Sequence, residues 1–240
     1  MPTVQANGIN VYYEIHGEGE PLLLISGLAS DHTLYRGVLA QLAARYQVIV
    51  FDNRGVGYTD KPNIPYSIDM MADDTAGLLN ALGIARAHVL GTSMGGRIAI
   101  ALALKHPELV KSLILVSTTA RSISRGWLSR QLLNVQLVIP ALQAVGGRHP
   151  QPYYALVRQR TASGSYDAVE RLHEIHVPTI ILHGKQDKRA PYQLAEETHA
   201  GIKGSELIAF NGGHLFFIFR PQQFLDAVMK FLEAQTIPQN

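Results

Sequence analysis

The chain has no cysteine among its 240 residues. That excludes disulfides, thiolate nucleophiles and zinc–thiolate sites, and it fits a reducing compartment, so a cytoplasmic location is expected. It also lacks an excess of either charge. The 21 Lys and Arg and 19 Asp and Glu, scattered along the chain, leave a net charge of +2 and give no electrostatic case for a nucleic-acid partner. Long apolar runs are missing too: the tract 132–142 is too short for a bilayer and is interrupted by Asn134, Gln136 and Pro140, so no membrane span is expected. The opening residues MPTVQANGINVYY contain no basic stretch followed by an apolar one, hence no signal peptide is expected. Ten histidines are present, yet no H-E-x-x-H cluster occurs. His173 and His176, beside Glu174, come nearest to a metal-ligand spacing, and neither a metal nor another cofactor is expected.

What is present is ordinary globular composition, 47% hydrophobic and 17% charged, enough for a sizeable core. The β-rich runs TVQA and INVYYEI flank Asn7-Gly8, a pair suited to the positive φ angles of a tight hairpin. Short continuous apolar runs follow at 22–25, 47–51, 88–90, 113–116 and 179–182, with a further strand at 206–210, as strands buried on both faces require. Helical-length segments lie between them, at about 32–44, 67–82, 94–106 and 190–201, with a last helix at about 221–234. The fold class is therefore α/β: a mostly parallel central sheet with an N-terminal antiparallel hairpin, helices on both faces and a small helical cap. The alternation breaks once, between Val116 and Thr179. A single domain is expected, with its core at 1–119 and 177–240 and a cap insertion at about 120–176. Trp127, Leu132 and Leu133 in that insertion are candidate pocket residues, although an apolar helix side packed on the core would read the same way.

Between the strand 88–90 and the helix that follows stands Gly91-Thr92-Ser93-Met94-Gly95-Gly96, a G-x-S-x-G pattern in strand-to-helix context. Its glycines permit so sharp a turn that the Ser93 hydroxyl clears the sheet, while the Met94 N–H, at a helix N-terminus, points to where an oxyanion would form. Asp187 falls in a turn beyond the carboxyl end of the strand 179–182. His214 ends the run Asn211-Gly212-Gly213 beyond the strand 206–210. Carboxyl ends of parallel strands gather on one side, so the three side chains can converge. Ser93 would be the nucleophile, His214 its base, and Asp187 the carboxylate that orients the base. His183 is expected to be a packed core histidine, and Asp73 and Asp74 to serve the dipole in the first turn of their helix.

These residues, with LLLISGLAS at 22–30, FDNRGVGYTDKP at 51–62, GKQDKRAP and NGGHLFFIFRP, make the chain resemble the α/β-hydrolase superfamily, and the resemblance runs from Val4 to the last helix. It implies the order Ser93, Asp187, His214 and a second oxyanion N–H from Leu28, where many relatives carry His-Gly in place of Ser26-Gly27. It implies a structural role for the loop Asp52 to Gly57, and many relatives have a glutamate where Arg220 stands. Small serine esterases, enol-lactone hydrolases and cofactor-free haloperoxidase-like proteins are the nearest subgroups. The expected activity is hydrolysis of a small carboxylic ester or lactone through an acyl-enzyme, with a small molecule as the substrate and the oligomeric state left open. C–C bond hydrolysis, perhydrolysis, acyl transfer and lyase chemistry are alternatives on the same residues, and a non-catalytic ligand-binding receptor is the alternative outside enzymes. Dehalogenases and epoxide hydrolases of this fold carry an aspartate at the position of Ser93, which argues against both.

Overall fold

Asn7 and Gly8 take φ angles of 47° and 79°, the turn that hairpin strands need, and they join β1 (Thr3–Ala6) to β2 (Ile9–His16). The computed structural model describes residues 1–123, 149 and 151–236. Beyond the hairpin come β3 (Glu20–Ile25), β4 (Tyr46–Phe51), β5 (Ala87–Thr92), β6 (Val110–Val116), β7 (Thr179–Gly184) and β8 (Glu206–Phe210). They form one sheet in the order β1-β2-β4-β3-β5-β6-β7-β8. Pairing is antiparallel from β1 through β2 to β4 and parallel elsewhere.

The apolar runs behave as two-faced strands because side chains alternate along a strand. Leu23 and Ile25 join the core that holds Met71, Leu78, Ile98 and Leu102 from the helices α2 (Ile68–Ala81) and α3 (Met94–Lys105). Leu22 and Leu24 join the opposite core, with Leu42 of α1 (Leu39–Ala43) and Phe224, Val228 and Leu232 of α7 (Pro221–Thr236). All four residues from Leu22 to Ile25 are fully buried, each contributing about 1.5–3 kcal/mol. Among the described residues, no helix is long and apolar enough to cross a membrane.

Two expectations need correction. The helix expected at 32–44 divides into a 3-10 turn, His32–Tyr35, and the short α1. Asp31 caps the turn by accepting the Thr33 N–H at 2.9 Å, and Gly37, a weak helix residue, lies in the break. Asp73 and Asp74 are not in a first turn, since α2 is capped by Ser67 and its first-turn acid is Asp69. Asp74 is buried in an ion pair with Arg54, and Asp73 meets Lys105 and His106 of the neighbouring helix.

Between β6 and β7 the chain leaves the sheet at its carboxyl edge. Arg121 makes an isolated antiparallel bridge to Asp167, and α4 (Tyr153–Ser165) and a 3-10 turn at Val169–Glu174 complete the described part of the insertion. Helix α4 lies over the loops that follow β3 and β4: Tyr154 Oη donates to Lys61 O at 2.6 Å, and Arg158 donates to Asn63 Oδ1 at 2.7 Å. Trp127, Leu132 and Leu133 lie outside the described residues.

Candidate active site

Ser93 joins β5 to α3 with φ 56° and ψ −116°, a conformation that costs a non-glycine residue about 1–3 kcal/mol. The turn can close because Gly91 and Gly95 have no Cβ. One at Gly91 would stand 2.4 Å from Gly95 O, and one at Gly95 would stand 2.1 Å from Ile25 O. The strained turn is held from outside: Ser93 N–H donates to Val116 O at 2.9 Å and Thr118 Oγ1 donates to Ser93 O at 2.7 Å.

Between β7 and α5 (Tyr192–Gly201), Asp187 is locked in its own turn, its Oδ1 accepting the N–H groups of Arg189 at 2.8 Å and Ala190 at 2.9 Å. Its Oδ2 lies 2.7 Å from His214 Nδ1, and His214 Nε2 lies 3.0 Å from Ser93 Oγ. Burial pushes the Asp187 carboxyl up, but His214 and the two backbone donors outweigh it and hold the pKa below the ordinary aspartate value. The carboxylate therefore stays ionised and keeps the proton on Nδ1, which leaves Nε2 free to accept from the serine. Ser117 steadies His214 by donating its hydroxyl to His214 O at 2.8 Å. His183 is the core histidine expected: it is fully buried, its Nε2 donates to Ala190 O at 2.7 Å, and burial lowers its pKa.

The loop after β3 faces the same hydroxyl. A Cβ on Gly27 would stand 3.3 Å from Ser93 Cβ, so the Leu28 backbone runs beside Ser93, and Ala29 adopts φ 57°. Neither the Leu28 nor the Met94 N–H has an acceptor among the described residues. Both residues line a pocket of about 210 Å³ together with Ser93 and His214. Sequence reasoning missed Gln159. Its side chain, fully buried on α4, accepts the Ala29 N–H at 3.3 Å and donates to Arg54 O at 2.8 Å.

The family described as alpha/beta hydrolase fold matches residues 20–170, well over half of the chain. The chain belongs to the α/β-hydrolase family. RutD of Azorhizobium caulinodans, whose name gives it provisionally a carbamate hydrolase activity, is 31% identical over 96% of this chain and 98% of its own length. Among solved structures, an esterase from Exiguobacterium antarcticum superposes with a TM-score of 0.86 at 25% identity, covering 96% of this chain and 98% of its own. The enol-lactonase from Burkholderia xenovorans gives 0.83 at 25% identity, covering 97% of this chain and all of its own (100%).

Within this α/β-hydrolase, Ser26 closes the loop after β3. It is fully buried, its hydroxyl donates to Asp31 O at 3.0 Å, and its carbonyl accepts from Asn53 Nδ2 at 2.9 Å. Asp52, fully buried, ties the next loop together by accepting the His32 N–H at 2.7 Å and the Tyr58 N–H at 2.8 Å. Arg220 is exposed just beyond α6 (Phe216–Phe219); its backbone N–H donates to Phe216 O at 2.8 Å and its carbonyl accepts the Phe224 N–H at 3.1 Å. Nothing in the structure explains its departure from glutamate.

Near the histidines 173 and 176, the Glu174 carboxylate pairs with Arg171, and His173 Nδ1 donates to Glu170 O. Among the described residues, Asp31, His32 and Asp52 are close enough to share an ion, their ligand atoms lying within 4.8 Å of one another. Those atoms are committed elsewhere: Asp31 to Thr33 and His149, and Asp52 to His32 and Tyr58. The group reads as a structural network.

Proposed function

We propose that this α/β-hydrolase cleaves small carboxylic esters or lactones through an acyl-enzyme, with Ser93 as nucleophile, His214 as base and Asp187 as the orienting carboxylate. Ser93 Oγ attacks the carbonyl carbon as its proton passes to His214 Nε2, and the Leu28 and Met94 N–H groups receive the oxyanion. The tetrahedral intermediate collapses when the imidazolium returns the proton to the departing alkoxide, leaving Ser93 acylated. A water then gives its proton to His214 and attacks the acyl carbon, and a second collapse releases the acid and restores the serine hydroxyl. For a lactone, the departing alkoxide stays attached to the acyl chain, and a single hydroxy acid leaves.

The observation that carries this reading is the continuous run from Asp187 Oδ2 to His214 Nδ1 at 2.7 Å and from His214 Nε2 to Ser93 Oγ at 3.0 Å, beside two backbone N–H groups without acceptors. The esterase and the enol-lactonase among the similar structures support the choice of ester and lactone. The chain acts as one domain, core 1–119 and 177–240, with 120–176 as a cap that shapes the acyl pocket. A fluorophosphonate probe with peptide mapping tests the mechanism, beside turnover of p-nitrophenyl esters of graded length and of a few lactones. Labelling at Ser93 that vanishes in His214→Ala, together with turnover, is the expected outcome. Labelling without turnover of any ester or lactone would make the chain a receptor or an enzyme of another reaction.

A further inference from the structure

The pocket that holds Ser93 and His214 is also lined by Arg97 and Arg189. Arg97 lies one turn into α3, and all of its donors are engaged: Nε with Thr119 O, one terminal nitrogen with the carbonyl and hydroxyl of Ser163, the other with Thr119 Oγ1 and Arg121 O. Every acceptor is neutral, so the hydrogen bonds are satisfied and the charge is not. Burial lowers its pKa only to about 10, which leaves the guanidinium charged at neutral pH. Other arginines are neutralised: Arg54 by Asp74, Arg121 by Glu197 and Arg171 by Glu174.

Arg189 is exposed at the pocket, and among the described residues only its backbone N–H is bonded. Asp187, two residues before it, has a side chain with no exposed surface, closed off by His214 and two backbone donors. Nor can the insertion supply another. From Leu109 to Tyr166 the sequence contains no aspartate or glutamate, while it carries Lys111 and the arginines 121, 125, 130, 148, 158 and 160. Whatever part of that segment approaches the pocket brings no negative charge.

A neutral substrate would leave the Arg97 charge uncompensated in a partly dry cavity, whereas a carboxylate would neutralise it and find the uncommitted guanidinium of Arg189, whose planar fork matches a carboxylate. We propose that the pocket selects esters or lactones that carry a free carboxylate away from the scissile bond, held by the Arg189 guanidinium and by the fixed charge of Arg97. This rests on the ester and lactone hydrolase reading above and narrows its substrate to an anionic one.

The test compares the 4-nitrophenyl monoester of adipic acid with the 4-nitrophenyl ester of adipamic acid, which replaces the distal carboxylate by an amide of the same size. The wild-type protein should prefer the acid in kcat/KM by about tenfold or more, and the preference should shrink as sodium chloride rises from about 0.02 to 0.5 M. In Arg189→Gln the ratio of acid to amide should fall at least about fivefold below the wild-type ratio. A wild-type ratio of one or less, or a ratio that Arg189→Gln leaves intact, overturns the proposal. Failure of the hydrolase reading shows separately, as absence of turnover for both esters. Protection of Ser93 from a fluorophosphonate by adipate but not by adipamide still decides the charge preference in that case, and equal protection refutes it.

Discussion

Ser93 occupies a backbone region that favours glycine, and the turn persists because Val116 and Thr118 hold it from outside. Ser93→Ala should therefore fold normally and lose kcat by a factor of about 10³–10⁶, while Ser93→Gly should lose activity and melt higher, because the strain of the Cβ goes with it. Thermal unfolding of the two variants beside ester turnover checks both statements; a glycine variant less stable than the alanine one would contradict the strain. Asp187→Asn keeps an oxygen for the N–H groups of Arg189 and Ala190 but offers an amide to His214 Nδ1, so the imidazole is held in the wrong tautomer. Its kcat should fall by about 10³–10⁴, and a loss under about tenfold would point to a different acid. Ser93, Asp187 and His214 were legible in the sequence because each sits in a glycine-bearing turn just after an apolar strand. Ser117 and Gln159 were not, because their partners His214 and Ala29 are 97 and 130 residues away in sequence and no local pattern announces such pairings.

At the scale of elements, the fully buried strands were the most legible part, since β3, β5, β6 and β7 need apolar residues on both faces and carry little else. The region 32–44 misled because apolar spacing continues through Gly37 while Asp31 closes a separate short turn ahead of it. Asp74 misled because its partner, Arg54, comes from a loop that only the folded chain brings against α2. Helix α4 carries a consequence for chemistry. Gln159 bonds the N–H of Ala29, the residue next to Leu28, and so ties the insertion to the loop expected to hold the oxyanion. Gln159→Leu leaves Ala29 N–H and Arg54 O buried without partners, at about 1–3 kcal/mol of stability each. It should also lower kcat by about 10- to 100-fold with little change in KM, less than the 10²–10³ of losing an oxyanion donor outright. Kinetics at a temperature well below the melting point separate the two effects. A variant that melts lower but turns over normally would leave Gln159 a purely structural residue.

For the molecule as a whole, a net charge of +2 averages away the acid-free stretch from Leu109 to Tyr166 and says nothing of Arg97 and Arg189, which line the pocket. Titration of the fold likewise depends on individual environments. His88 and His183 are fully buried, and burial is the main cause that sets both below the ordinary histidine value. The unfolded chain protonates these side chains first, so their contribution to stability is complete above about pH 6.5 and is lost as pH falls below it toward their folded values. Asp187, Glu14, Glu20 and Asp73 are held below ordinary carboxylate values by hydrogen bonds and nearby cations. Their contribution is complete above about pH 4 and is lost only as pH falls through still lower folded values. His32 acts in the opposite sense: burial lowers its pKa, but Asp52, Asp31 and Glu14 outweigh burial and raise it, so it stabilises below about pH 6.5 and gives that up as pH rises. Asp74 is raised by burial despite Arg54 and offsets a little of the carboxylate loss in strong acid. Two histidines against one leave a net decline, so the urea midpoint should fall in two stages, first as pH drops below about 6.5 and again below about pH 4. His88→Gln removes one of the two buried imidazoles and should flatten the first stage, whatever it does to stability at pH 7.5, while leaving the second in place. A midpoint that is constant from pH 7.5 to 5 in the wild-type protein would mean that His88 and His183 titrate as they do in the unfolded chain.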